Sequence, residues 1–187
     1  MNNKNALRAA TWKDDRVLFI TQAGIIAAVY VVLTVVFAPF SFKEIQVRVA
    51  EMLTILPFFF PAAVPGVFLG CIIGNILGGA VLPDVVFGSL ATLIGALGTY
   101  AVGRHYRSGL EAYEDGKGKS LTKNLIIGAI PPVLANGIIV PFILRYAYGI
   151  PMAIPLMMLT VGAGEILSCG VLGVMLGRVI NRVMSGK

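Results

Sequence analysis

The sequence predicts an all-α integral membrane protein, one bundle of six transmembrane helices with both termini in the cytoplasm. Three observations carry that prediction. Hydrophobic residues make up 57% of the 187-residue chain and charged residues 13%, with a mean hydropathy of +0.87. Soluble domains are about 25% charged. Charge-free runs recur at the length a bilayer demands, and the basic residues collect in alternate connections. This composition excludes an ordinary soluble domain and a disordered chain. A net charge of +6 does not make the chain a nucleic-acid binder, because no polar domain gathers the basic residues to track phosphates. At about 20 residues per span, the length allows roughly six helices and no separate soluble domain. Residues 1–187 are therefore read as a single membrane domain.

Residues 1–16 form a cytoplasmic N-terminus. The run Val17 to Phe42 is 26 residues without a charge and carries the first helix, 17–40. A secretory signal core is only about 7–15 residues long, so this is a retained span. The run Met52 to Pro83 is 32 residues, too long for one helix and broken by Pro57, Pro61 and Pro65. It divides into a helix over 44–60, a proline-rich turn and a helix over 65–82. The fourth helix covers 84–103. A cytoplasmic loop, 104–122, contains Glu111, Glu114 and Asp115 and reads as a solvated hairpin or short surface helix. The fifth helix, 123–144, is expected to kink at Pro131-Pro132. The sixth, 152–180, is interrupted by one acid, Glu165.

Loop charge sets the orientation. With the N-terminus inside, Lys4, Arg8, Lys13 and Arg16 are cytoplasmic. So are Arg104, Arg107, Lys117, Lys119 and Lys123, and at the far end Arg178, Arg182 and Lys187. Of the 15 basic residues only Lys43, Arg48 and Arg145 fall outside, which is the positive-inside pattern of a multi-pass membrane protein. Cys71 and Cys169 lie in apolar runs with no CxxC spacing and read as small packing residues. His105, beside Arg104 and Arg107, reads as a headgroup-facing residue. No metal site is expected.

Polar groups inside a membrane are costly, so their placement is informative. Within or beside the spans stand Gln46, Arg48, Glu51, Asn75, Asp84, Asn136 and Glu165. Glu51 lies about 10 Å along the second helix at 1.5 Å per residue. With the orientation above, all seven fall between the bilayer centre and the outer face, while the inner halves hold chiefly Gln22 and Ser168. A channel would show polar positions along its whole length. One-sided convergence indicates an outward-opening binding pocket instead. Carboxylates and amides with one cation suit a flat, hydrogen-bond-rich small molecule, with or without a positive charge. Each residue also has a plainer role. Arg48 and Glu51, at i and i+3, can neutralise each other. Asn75 and Asn136 can join helices, and Asp84 can cap the fourth helix. Glu165 is hardest to explain without a ligand, and Arg48 is the only basic candidate partner at its depth. Small residues form two stripes. Gly66, Gly70, Gly74 and Gly78 permit close internal packing on the third helix. Ala23 and Ala27, with Gly24 and Ala28 beside them, could instead face another protein.

The segment from Glu44 to Pro57 reads EIQVRVAEMLTILP and resembles the QxRxxExLxxLP signature of the QueT family. The resemblance continues through Pro65-Gly66, Gly70 to Asn75, Asp84 to Thr92 and Val161 to Glu165, and spans nearly the whole chain. QueT proteins are regarded as substrate-binding S components of energy-coupling-factor (ECF) transporters. The resemblance implies a non-catalytic importer subunit for a queuosine precursor, a 7-deazaguanine such as preQ1 or queuine. It implies a membrane scaffold subunit and two ATPase subunits as separate partners. No cofactor is expected in this chain: it lacks GxxxxGK[ST], so ATP is used by those partners. The stripe at Ala23 and Ala27 looks like the docking surface for the scaffold. In the pocket, Glu51 and Glu165 would take the base edge and an aminomethyl cation, in an order left open. Gln46, Arg48, Asn75, Asn136 and Asp84 would complete the polar contacts, with Phe40 and Phe42 stacking as a lid. Three rivals are an S component for another vitamin, a stand-alone proton-coupled secondary transporter using Glu165, and an intramembrane enzyme. The last lacks a metal cluster or a Ser/His pair.

Overall fold

A computed structural model describes residues 3–37, 48–111 and 120–185, with side chains described from Asp15 onward except at 109–111. Every regular element among the described residues is helical. Helix α1 spans Asn3–Val36, a 3-10 helix spans Val49–Phe58, and α2 spans Ala63–Leu77. A π-helical turn at Asp84–Gly88 leads into α3, Ser89–Glu111. Helix α4 spans Leu121–Tyr146. Helix α5 (Ile154–Glu165), a second π segment (Ile166–Gly173) and α6 (Val174–Met184) form one rod. Four stretches are long and apolar enough to cross a membrane: Asp15–Val36, Asp84–Ser108, Leu121–Tyr146 and Ile154–Met184.

Several expected boundaries move. The first helix begins at Asn3, so the polar segment before Arg16 is helical as well. Hydropathy marks where a helix enters lipid, not where its hydrogen bonds begin. Of the expected helix over 44–60, residues 44–47 lie outside the described set, and the described part holds a 3-10 helix of 10 residues, Val49–Phe58. At about 2.0 Å per residue it is roughly 20 Å long. Eight of its residues are buried and Pro57 lies inside it. Packing on all sides, with one amide removed by proline, holds a form that a solvated chain abandons after a turn. The third expected helix ends early, at Leu77. The Gly78 amide bonds the Gly74 carbonyl, the Ala80 amide reaches back to Asn75, and Gly79 takes a φ of +76°, the left-handed conformation glycine adopts without strain. The expected loop 104–122 is helical through Glu111; residues 112–119 lie outside the described set. The two π segments carry no signature in the sequence.

The interior is inverted relative to a soluble protein. Leu159 is 71% exposed while Glu51 is 0% exposed. The glycine stripe packs α2 parallel to α1. A Cβ at Gly66, Gly70 or Gly74 would meet Ala23 and Ile26, Ala27 and Tyr30, or Thr34 at about 3 Å. Helix α3 meets α4 where Gly95 and Gly98 lie on Pro132 and Pro131. Pro132 has no amide, which leaves the Gly128 carbonyl without its helical donor. The Thr99 hydroxyl of α3 donates to that carbonyl at 2.7 Å. Further along, Gly103 presses on the backbone of Phe58, and Arg107 donates to the Phe58 carbonyl. Thr122 accepts from Arg178 at the same end of the bundle, while Tyr148, Asp84 and Val81 meet at the other. The start of α1 and the end of α6 thus lie toward one end of the bundle.

Candidate functional site

Ten buried polar side chains from every layer of the bundle converge on one region: Tyr30, Arg48, Glu51, Asn75, Asp84, Ser89, Thr92, Asn136, Glu165 and Ser168. They divide into a closed half and an open half.

The closed half is organised by Asp84. Arg48 Nη2 lies 3.1 and 3.0 Å from its two carboxylate oxygens. Tyr148 donates its hydroxyl to Asp84 Oδ2 at 2.9 Å, and Asn75 Nδ2 donates to the Asp84 carbonyl at 3.4 Å. Burial first, and the Asp84 charge and hydrogen bond next, push the Tyr148 hydroxyl up to about 12, so at neutral pH it remains a donor. This geometry replaces two expectations. Arg48 pairs with Asp84 across the bundle and not with Glu51 on its own element or with Glu165. Asp84 is not the N-cap, a place Pro83 takes; it is half of a buried ion pair with side chains 7% and 1% exposed. Gly88 is required one turn on, since a Cβ there would collide with Asp84 Oδ1.

The open half is built around Glu51 and Glu165. Glu51 Oε1 accepts from the Tyr30 hydroxyl at 2.5 Å and from Thr92 at 2.9 Å. Glu165 Oε2 accepts from the Cys169 thiol at 3.2 Å, one turn along the same face. Ligand atoms of Glu51, Glu165 and Cys169 lie within 4.8 Å of one another. No described basic group is paired with either carboxylate, because the guanidinium of Arg48 is turned to Asp84. Two carboxylates and a thiol at this spacing attract a cation, whether a protonated amine or a metal ion. Around them several buried atoms have no hydrogen-bond partner: Arg48 Nη1, Glu51 Oε2, Ser89 Oγ, Ser168 Oγ, and both the oxygen and nitrogen of the Asn136 amide. Buried polar atoms are satisfied in the great majority of native structures. A group of them beside two carboxylates marks this region as the candidate binding site.

The structure separates residues that sequence treats alike. Asn75 bonds to Asp84 and Cys71 and joins elements, whereas Asn136 keeps its whole amide free. Ala23 and Ala27 lie half-buried toward α2, while Gly24 and Ala28 beside them are exposed. Gln46, Phe40 and Phe42 fall outside the described residues. Sequence reasoning missed Tyr30, Thr92, Ser89, Ser168, Tyr148 and Cys169. Cys169, at i+4 from Glu165, and Thr54, whose hydroxyl bonds the Glu51 carbonyl at 2.6 Å, carried the local signal of a shared helix face. The contact of Tyr30 with Glu51 is long-range and left no such trace.

The QueT transporter family matches the chain over residues 20–182. The queuosine precursor transporter QueT of Lactococcus lactis subsp. cremoris is 37% identical over 84 residues, which cover 44% of this chain and 49% of that protein. The chain thus spans about half the length of this curated relative. No solved structure matches.

Proposed function

The chain belongs to the QueT transporter family, and we propose that it is the membrane-embedded, substrate-binding S component of an ECF-type importer for a 7-deazaguanine queuosine precursor. The observation that carries this reading is the set of unpartnered buried atoms on Arg48, Glu51, Ser89, Asn136 and Ser168 around two adjacent carboxylates. A 7-deazaguanine offers an N1–H and a 2-amino group as neighbouring donors, which one carboxylate accepts in a two-point contact. Its O6 and N3 accept from the free Asn136 amide or from Arg48 Nη1. The second carboxylate balances an aminomethyl cation such as that of preQ1. Asp84 and Asn75 hold Arg48 and the end of α2 in place. The family resemblance adds Gln46, Phe40 and Phe42 as expected substrate contacts.

In this reading the two shorter helices complete six passes. The basic end of the bundle, with both termini, faces the cytoplasm of a bacterial cell, and the polar site opens to the outside. The exposed Gly24 and Ala28, with the rims of Ala23 and Ala27, are the docking face for a membrane scaffold subunit, and two ATPase subunits drive transport. The chain itself performs no catalysis.

The substitution Glu165→Gln tests the site. It keeps the shape and removes the charge, and calorimetric affinity for preQ1 should fall at least tenfold with folding intact. Unchanged affinity would remove Glu165 from the site. Uptake by cells lacking the ATPase subunits separates this reading from a proton-coupled secondary transporter, which would still accumulate substrate.

A further inference from the structure

A groove of about 630 Å³ opens between α3 and α4, away from the polar cluster. We propose that it binds one anionic phospholipid, with the phosphate at Lys123 and an acyl chain along Ala101, Val102 and Ile127. The groove has a structural cause. The two helices touch most closely where Gly95 and Gly98 lie on Pro132 and Pro131 and where Thr99 bonds Gly128. Beyond that level α3 is drawn onto the 3-10 helix, by Gly103 against Phe58 and by Arg107 bonding its carbonyl. The space between α3 and α4 is left at the basic end.

The lining changes character at one level on both helices. On α3, apolar Ala101 gives way one turn later to His105; on the antiparallel α4, Lys123 gives way one turn later to Ile127. A matched step from polar to apolar across two antiparallel helices, with the Lys123 cation on one of them, has the shape of a lipid, with the headgroup in water and the chain in hydrocarbon. Charge complementarity selects an anionic one. Lys123 and Arg104 are exposed at this end, and Arg178 donates to Thr122 beside them. Ser120 opens α4 without a side-chain cap, and the positive end of that helix adds to the attraction for phosphate. Exposed Leu97, Ile126 and Ile130 continue the wall as bilayer-facing surface. The inference rests on the membrane-spanning reading of α3 and α4 and not on the identity of the transported molecule.

Native mass spectrometry of the full chain in detergent tests it, with phosphatidylglycerol and phosphatidylcholine of matched acyl chains offered in equal amounts. The expected result is one retained phosphatidylglycerol, favoured at least fivefold over phosphatidylcholine. The preference should vanish in Lys123→Glu and fall in Ala101→Phe, which fills the apolar wall. Equal retention of the two lipids by the parent would overturn the proposal. So would a preference lost in Lys123→Glu yet untouched by Ala101→Phe, since that is surface attraction without a groove. Calorimetry with preQ1 on the same preparations reports the transport site separately. Both variants should bind it as the parent does, and its failure to bind would leave the lipid result standing.

Discussion

Asp84 shows how one residue can be costly alone and stable in company. Its carboxylate is buried, and Arg48, Tyr148 and Asn75 each satisfy a different part of the residue. Removing one partner of a buried ion pair leaves an uncompensated charge, which costs about 3–5 kcal/mol, whereas replacing both partners with apolar groups can be nearly neutral. Arg48→Met should therefore lower the melting temperature sharply, and Arg48→Met combined with Asp84→Leu should recover much of the loss in the same thermal assay. The asparagines make a paired prediction. Asn75→Ala breaks contacts between elements and should lower thermal stability. Asn136→Ala removes an amide that has no partner, so it should leave stability nearly unchanged and weaken preQ1 binding by calorimetry. Opposite outcomes would exchange their roles. At this scale much of the site was legible in sequence. An acid or amide in an apolar span is expensive, and Glu51, Glu165 and Asn136 stand out on that ground alone. Tyr30, Thr92 and Cys169 do not, because hydroxyls and thiols are ordinary in membrane helices. Their meaning comes from pairings up to 118 residues apart, as between Cys169 and the Glu51 carbonyl.

At the scale of elements, proline sets the cost and its neighbours meet it. Pro132 frees the Gly128 carbonyl inside α4, and Thr99 supplies the missing donor from α3. Thr99→Val keeps the shape and removes the hydroxyl. It should cost about 1–3 kcal/mol, the penalty for a buried acceptor left unmade, read as a loss in thermal or denaturant stability; an unchanged midpoint would mean the carbonyl finds another donor. Helix existence was readable from charge-free runs, because lipid demands length and apolarity. Helix type was not. Hydropathy is blind to the rise per residue, so the buried 3-10 helix carrying Glu51 and the π segments beginning at Asp84 and at Ile166 read as plain α-helix. These are also the elements that aim the site. π segments shift side-chain register within a helix and recur at functional sites; here the second one carries Ser168 and Cys169, whose thiol bonds Glu165.

The whole molecule is a polar cluster wrapped in helices whose outer faces are apolar. That inversion follows from the solvent: a bilayer rewards apolar exposure and forces polar groups inward to find one another. Composition therefore foretold an all-helical chain with apolar, membrane-length helices, while the pairing of Arg48 with Asp84 required three dimensions. The central claim is that the open half of the cluster holds a 7-deazaguanine. The direct measurement is calorimetric titration of the purified chain with preQ1, with preQ0, queuine, guanine, riboflavin and thiamine as comparisons. The account predicts tight binding of a 7-deazaguanine, with no heat from riboflavin or thiamine. Folded protein that binds one of those vitamins, or that takes up no deazaguanine at all, would contradict it.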